Sequence, residues 1–561
     1  MTLKLPEPFL FINSLLALKK YFFDRWLIGI LLITLLLAIP VFTIFSFVFQ
    51  DSGEVWKHLS ETVLSDYISN SLWLMLGVSA GTLSIGVTTA WLTSICDFPG
   101  RRIFQWSLLL PMAIPAYIIA YTYTGMLDFE GPVQSLLRDT FHWGARDYWF
   151  PEVRSLFGAM IMLSLVLYPY VYLLTRAAFL EQSSVTLEAS RSLGHGPWNS
   201  FFRVALPMAR PAIAAGLSLA LMETLADFGT VEYFGVSTFT TGIFRTWFGL
   251  GDAAAAAQLS SILLLFVFVL ILIERSSRRL ARYHQQIGRQ AQAKRLILSP
   301  KLGWLAFTAC LIPLLLGFLL PFVQLVVWTV QTADEMIDAD FFLLTFHSLS
   351  LALTTAVLAL CIALFMAYGQ RLKKSVFVSL LVRLASLGYA IPGTVIAIGV
   401  VIPFAWFDNS LDNWARSSFN FSTGLILSGT LAALIFSYLV RFLAVSVGAV
   451  ESSLGKVKPS MDDAAHSMGY RPVQVLSKIH IPIMRASLFT AILLVFVDIL
   501  KELPATLLLR PFNFNTLAVR AYELASDERL ADASSAAIMI VLTGIIPVIL
   551  LSLSITKNRS D

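Results

Sequence analysis

Charge is scarce in this sequence. Only 13% of its 561 residues are Asp, Glu, Lys or Arg, against about 25% in soluble domains, while 57% are hydrophobic. That balance excludes an ordinary soluble globule. Cysteine is almost missing: Cys96, Cys310 and Cys361 lie in or beside apolar runs, without paired spacing. They form no disulfide framework or zinc motif. The seven His are scattered singly, which argues against a His-rich metal cluster. The sequence also lacks a G-x-x-x-x-G-K-[ST] phosphate loop, so no ATPase motif is carried here. The net charge of +5 reads as loop asymmetry rather than affinity for nucleic acid.

What is abundant is apolar runs of about 20 residues, the length that crosses a bilayer as a helix. Twelve spans are expected. In the first half they lie at roughly 26–49, 68–95, 103–127, 154–180, 210–234 and 257–274. In the second they lie at roughly 303–330, 344–369, 376–406, 424–449, 484–509 and 534–555. The first run is too long for a signal-peptide core and lacks a small-residue cleavage site, so it reads as a retained span. Residues 5–24 before it are either a weakly amphipathic surface helix or a partly ordered leader.

Loop charge sets the orientation. Residues 275–301 carry Arg275, Arg278, Arg279, Arg282, Arg289, Lys294, Arg295 and Lys301, and no acid. Such a linker belongs in the cytoplasm. Arg101–Arg102 and Arg371, Lys373 and Lys374 fall on the same side. The 331–343 loop holds Asp334, Glu335, Asp338 and Asp340 without Lys or Arg, and falls outside. Both termini are then cytoplasmic. The divisions are a cytoplasmic segment 1–25, a six-helix half 26–274, the basic linker 275–301 and a second six-helix half 302–561.

The halves are a direct repeat. Ala113-Ile114-Pro115 answers Ala390-Ile391-Pro392 after a shift of 277 residues. An even number of spans per half gives both copies one orientation, hence a pseudo-twofold axis along the membrane normal. Pro115 and Pro392 fall mid-span, where Pro removes a backbone hydrogen bond and kinks the helix. The kink is the plain reading, and a gate at that level is the further one.

Two polar blocks also repeat, shifted by 275 residues. The first runs Leu187-Glu188-Ala189-Ser190-Arg191-Ser192-Leu193-Gly194 and on to Pro207. The second runs Asp462-Asp463-Ala464-Ala465-His466-Ser467-Met468-Gly469 and on to Pro482. The acid suits a helix N-terminus, and the small residues allow a partner close approach. Gly194 and Gly469 can cap the helix, and Pro207 and Pro482 suit the start of the next span. Each block is a short helical finger in a cytoplasmic loop.

The fifth span of each half carries acids at the same shift: Glu223 matches Asp498, and Asp227 matches Glu502. Spaced i, i+4, each pair is expected on one helix face. An acid at mid-membrane costs roughly 2.5–3.5 kcal/mol on insertion, so these should face water or be paired. Two readings stand. The four line a cation pathway, since carboxylate oxygens suit a hard and here transient metal cargo. Or they satisfy helix ends near the outer surface, with Lys501 as a partner.

The finger pattern resembles the coupling motif of permease subunits of binding-protein-dependent ABC importers. It has Glu188-Ala189-Ser190, Gly194 and Pro207 in one copy, and Asp463-Ala464-Ala465, Gly469 and Pro482 in the other. Ser190 and Asp463 are mild departures from Glu-Ala-Ala. The resemblance implies an all-α membrane protein of the type I importer kind, in a bacterial inner membrane. It implies that each finger docks on one of two copies of a cytoplasmic ABC ATPase, which binds the ATP and magnesium. It also implies one periplasmic substrate-binding protein on the outer loops 128–153, 235–256, 407–423 and 510–533. Asp227-Phe228-Gly229-Thr230-Val231-Glu232 and Lys501-Glu502-Leu503-Pro504-Ala505-Thr506 look most like fused ferric-iron permeases. Thiamine, phosphonate and polyamine permeases are the alternatives within the class.

Two rivals fit less. A major-facilitator carrier also has twelve spans, and Asp97-Phe98-Pro99-Gly100-Arg101-Arg102 partly mimics its loop signature. It lacks the Arg after the Asp and has no use for paired fingers. A membrane enzyme would need convergent catalytic groups, and none appears beyond the four acids.

Overall fold

The computed structural model describes residues 25–50, 53–144, 147–181, 196–279 and 295–557. The architecture is all-α. Among the described residues, eleven helices are long and apolar enough to cross a membrane, or twelve if one bent pair counts as a span. That pair is Arg101–Ala113 and Ala116–Phe141, which meet at 90°. Their junction holds Pro115, with extended backbone at ψ 145. The second copy breaks in the same place, between Ser386–Ala390 and Gly393–Phe419, with Pro392 in the gap. The expected kinks are therefore full interruptions of the helix.

Several span ends differ from the hydropathy reading. The fifth spans begin earlier and end earlier than expected, as Trp198–Ala226 and Pro472–Leu500. Pro207 and Pro482 lie within these helices rather than at their starts. A π turn precedes each Pro: Leu206 N–H bonds Phe201 O in one half, and Ile481 N–H bonds Leu476 O in the other. Pro cannot donate to the carbonyl four residues back. The wider turn re-registers the ladder just before it, and the helix runs on. The acidic 331–343 stretch is mostly helical, split between Leu320–Met336 and Ala339–Leu372. The segments expected outside likewise hold helices: Pro132–Phe141, Phe239–Arg245 and Leu517–Ser526, while Gly393–Phe419 extends through most of 407–423.

Two compact units emerge, each discontinuous in sequence. One comprises the described residues of Met1–Thr43, Ser350–Ala390 and Gly399–Ile499, and the other those of Ile44–Leu349, Ile391–Ile398 and Leu500–Asp561. In the first unit, the chain's opening helix packs on helices of the second half. Trp26 stacks on Phe365 with ring centroids 4.8 Å apart, and Thr34 Oγ1 donates to Leu381 O at 3.3 Å.

In the second unit, Leu64–Ile95 packs along Leu156–Glu181. Small residues allow this approach, as is usual where lipid supplies no hydrophobic drive between helices. A Cβ on Gly81 would sit 2.2 Å from Ser164 Oγ. Gly81→Ala is therefore expected to cost about 1–3 kcal/mol through overpacking. A lower thermal midpoint of the purified chain in detergent checks it, and an unchanged midpoint would count against the close packing. The core of this unit centres on buried Tyr117, Tyr121, Tyr168 and Tyr172. The Tyr172 hydroxyl donates to Gln105 O at 3.0 Å.

Candidate coupling finger and pathway acids

The second finger is a helix over Pro459–Ser467. It begins before the acids, because Pro459 at its first position has φ already set for a helix. Asp462 falls in the first turn, where negative charge suits the helix dipole. The helix closes as its sequence implies. Gly469 takes the left-handed conformation at φ 82, with Met468 N–H bonding Ala464 O and Tyr470 N–H bonding Ala465 O at 3.1 Å each. Ala465 faces inward and is fully buried. Asp463, Ala464 and Gly469 are exposed, as are Met461 and Met468. The exposed surface of the finger thus carries small and apolar groups around Asp463.

Beneath it lies a polar network. Asp462 Oδ2 meets Arg371 Nε at 2.8 Å and Oδ1 meets His480 Nε2 at 2.6 Å. Burial pushes the Asp462 carboxyl up, but the hydrogen bonds from Arg371 and His480 outweigh it and hold it below the usual carboxylate range. Arg371 also donates to Leu454 O and, at 2.9 Å, to Val457 O. Sequence reasoning missed this network. Arg371 is 91 residues from Asp462 and His480 is 18, so no local spacing links them.

Glu188, Ala189, Ser190 and Gly194 of the first finger lie outside the described residues. Pro207, also of that set, is within them.

The acid pairs do not share one helix face as expected. The helices stop at Ala226 and Leu500, so Asp227 and Glu502 lie past their ends. Each carboxylate instead caps the short helix that follows. Asp227 Oδ1 accepts from Thr230 N and Val231 N at 3.1 Å each, and Oδ2 from Thr230 Oγ1 at 2.9 Å. Glu502 Oε1 accepts from Ala505 N at 3.2 Å. The capped helices, Gly229–Tyr233 and Pro504–Leu509, correspond at the same shift of 275. Gly229 and Pro504 favour a new start over continuation, and an acid there satisfies backbone N–H groups that lipid cannot. Glu223 and Asp498 remain one turn inside the long helices and are partly buried. Among the described residues, no three His, Cys, Asp or Glu side chains converge closely enough to hold a metal ion.

Comparison with known proteins agrees with the repeat. The family described as "binding-protein-dependent transport system inner membrane component" matches residues 83–282 and again 359–557. The chain is 26% identical over 531 residues to the Fe(3+)-transport system permease protein FbpB 2 of Haemophilus influenzae, covering 93% of this chain and 97% of that one. It is 28% identical to the molybdenum transport system permease protein ModB of Escherichia coli, over 39% of this chain and 97% of the relative. A probable sulfate transport system permease, cysT of Chlorokybus atmophyticus, is 27% identical over 37% of this chain and 70% of its own length. With two family copies, a helical membrane architecture and repeated helix breaks at matching positions, the chain belongs to the inner-membrane permease subunits of binding-protein-dependent ABC importers.

Proposed function

We propose that this permease forms the translocation pathway of a ferric-iron importer and is driven through its two fingers by a pair of separate ATPase chains. The observation that carries the substrate is similarity to a fused Fe(3+) permease along nearly the whole length of both chains. The molybdenum and sulfate relatives match little more than a third of the chain. A periplasmic binding protein delivers the cargo to the outer helices, and ATP with magnesium stays on the partner. ATP binding closes the ATPase pair, the fingers move with it, and the spans open outward; hydrolysis resets them. Both termini and the fingers face the cytoplasm, where the basic linker lies.

The acids support a cation by what they do locally. Asp227 and Glu502 each hold a negative oxygen where a helix is interrupted, and Glu223 and Asp498 sit one turn inward. Such groups meet a passing cation in sequence rather than as a resident site. Pro115 and Pro392 interrupt the third spans, which makes these breaks the candidate gates.

The test is uptake of labelled ferric iron by cells lacking this chain. Complementation with the wild type is expected to restore it, and excess molybdate or sulfate is expected to leave it unchanged. Failure to restore iron uptake with the protein present in the membrane, or restored molybdate or sulfate uptake instead, would overturn the substrate.

A further inference from the structure

The network beneath the second finger ties together four parts of one unit. Asp462 stands on the finger helix. His480 lies in the π turn of the Pro472–Leu500 span and is fully buried. Arg371 closes the cytoplasmic end of Ala339–Leu372 and reaches the carbonyls of Leu454 and Val457 beyond Leu431–Leu454. Tyr368 adds a fourth tie: its hydroxyl donates to Pro472 O at 2.8 Å, and its ring stands edge-on to His480 at 5.4 Å. Charge-assisted hydrogen bonds of this length are the strong ones. The Arg371–Asp462 pair is partly buried, and breaking it leaves a charge poorly compensated. The Asp462–His480 bond joins the finger directly to the fifth span.

The first half lacks these residues. At the shift of 275 that aligns the fingers, Asp462 answers Leu187 and His480 answers Ala205, and at the shift of 277 that aligns Pro115 with Pro392, Arg371 answers Ser94. No charge stands at any of the three.

We propose that Asp462, Arg371 and His480 form an ionic strut that carries the stroke of the second finger into the span bearing Asp498. Arg371 and His480 act as positioning residues, since they touch neither ATPase nor cargo. The proposal rests on the fingers being ATPase docking elements.

The test uses the complete transporter, with its ATPase and binding protein, in proteoliposomes. His480→Phe with Arg371→Met preserves bulk and removes both side-chain ties to Asp462, while the Tyr368–Pro472 bond stays. The ATPase is expected to remain associated and to hydrolyse ATP at its basal rate. Cargo moved per ATP is expected to fall about tenfold, within the range of ordinary coupling energies. Asp462→Asn, nearly isosteric, should fall partway, and Arg371→Lys, one charge without the fork, should recover part of the loss. An unchanged ratio in the double variant would overturn the strut. So would loss of ATPase association, because the residues would then only shape the docking surface. Gly469→Trp, run alongside, separates the underlying reading. If it keeps both ATPase and coupling, the finger is not a docking element and the strut falls with it.

Discussion

Gly469→Trp is expected to abolish uptake while leaving the chain in the membrane. The cause is twofold. Gly469 sits at φ 82, where a side chain other than Gly costs roughly 1–2 kcal/mol. A Cβ there would meet nothing within 4 Å, so the strain is conformational and not a clash within the chain. The indole would instead project from an exposed corner beside Met468, on the face where the proposed ATPase docking would occur. Gly469→Asn separates the two causes. Asn tolerates the left-handed conformation and caps helices, so it should retain most uptake, while Gly469→Val should lose most of it. Uptake normalised to membrane-bound protein by immunoblot reads all three. Normal uptake by the Trp variant would remove the coupling role from this finger.

The second large effect concerns the two capping acids. Asp227→Asn with Glu502→Gln is expected to reduce ferric-iron uptake severely, with little loss of folded protein. The choice of amides matters. Asp227 accepts two backbone N–H groups and a hydroxyl, and Glu502 accepts one backbone N–H. Asn is as good a cap as Asp, whereas Ala there costs about 1 kcal/mol. The amides therefore keep much of the structural role and delete the charge. Iron uptake beside a thermal melt of the purified chain distinguishes the outcomes. Normal uptake by the amide pair would leave these acids as helix caps alone. A large fall in melting temperature would mean that the charge itself holds the fold.

The paired capping shows where local reasoning stopped. Spacing i, i+4 places two acids on one face only while the helix continues. Hydropathy carries 210–234 and 484–509 as unbroken runs, because Phe228, Val231, Leu503 and Leu507 are as apolar as the residues before them. The interruption depends on whether backbone N–H groups find a side-chain acceptor, and period alone does not report that. Pro207 and Pro482 misled in the opposite direction. Pro reads as a boundary, yet the π turn before each lets the helix pass through. The Gly469 turn was legible because one residue type answers one backbone conformation.

Membrane class, the twofold repeat and the second finger follow from composition and spacing, since bilayer thickness and helix geometry are the same for every chain. The interruptions at Pro115 and Pro392 were legible as kinks, though the 90° bend at Pro115 was not. Tertiary structure alone decided the rest. The opening helix joins Phe365 and Leu381, and Asp462 joins Arg371 and His480. These partners are far apart in sequence, and the cost of burying a charge without a counter-charge selects them only once the helices are packed.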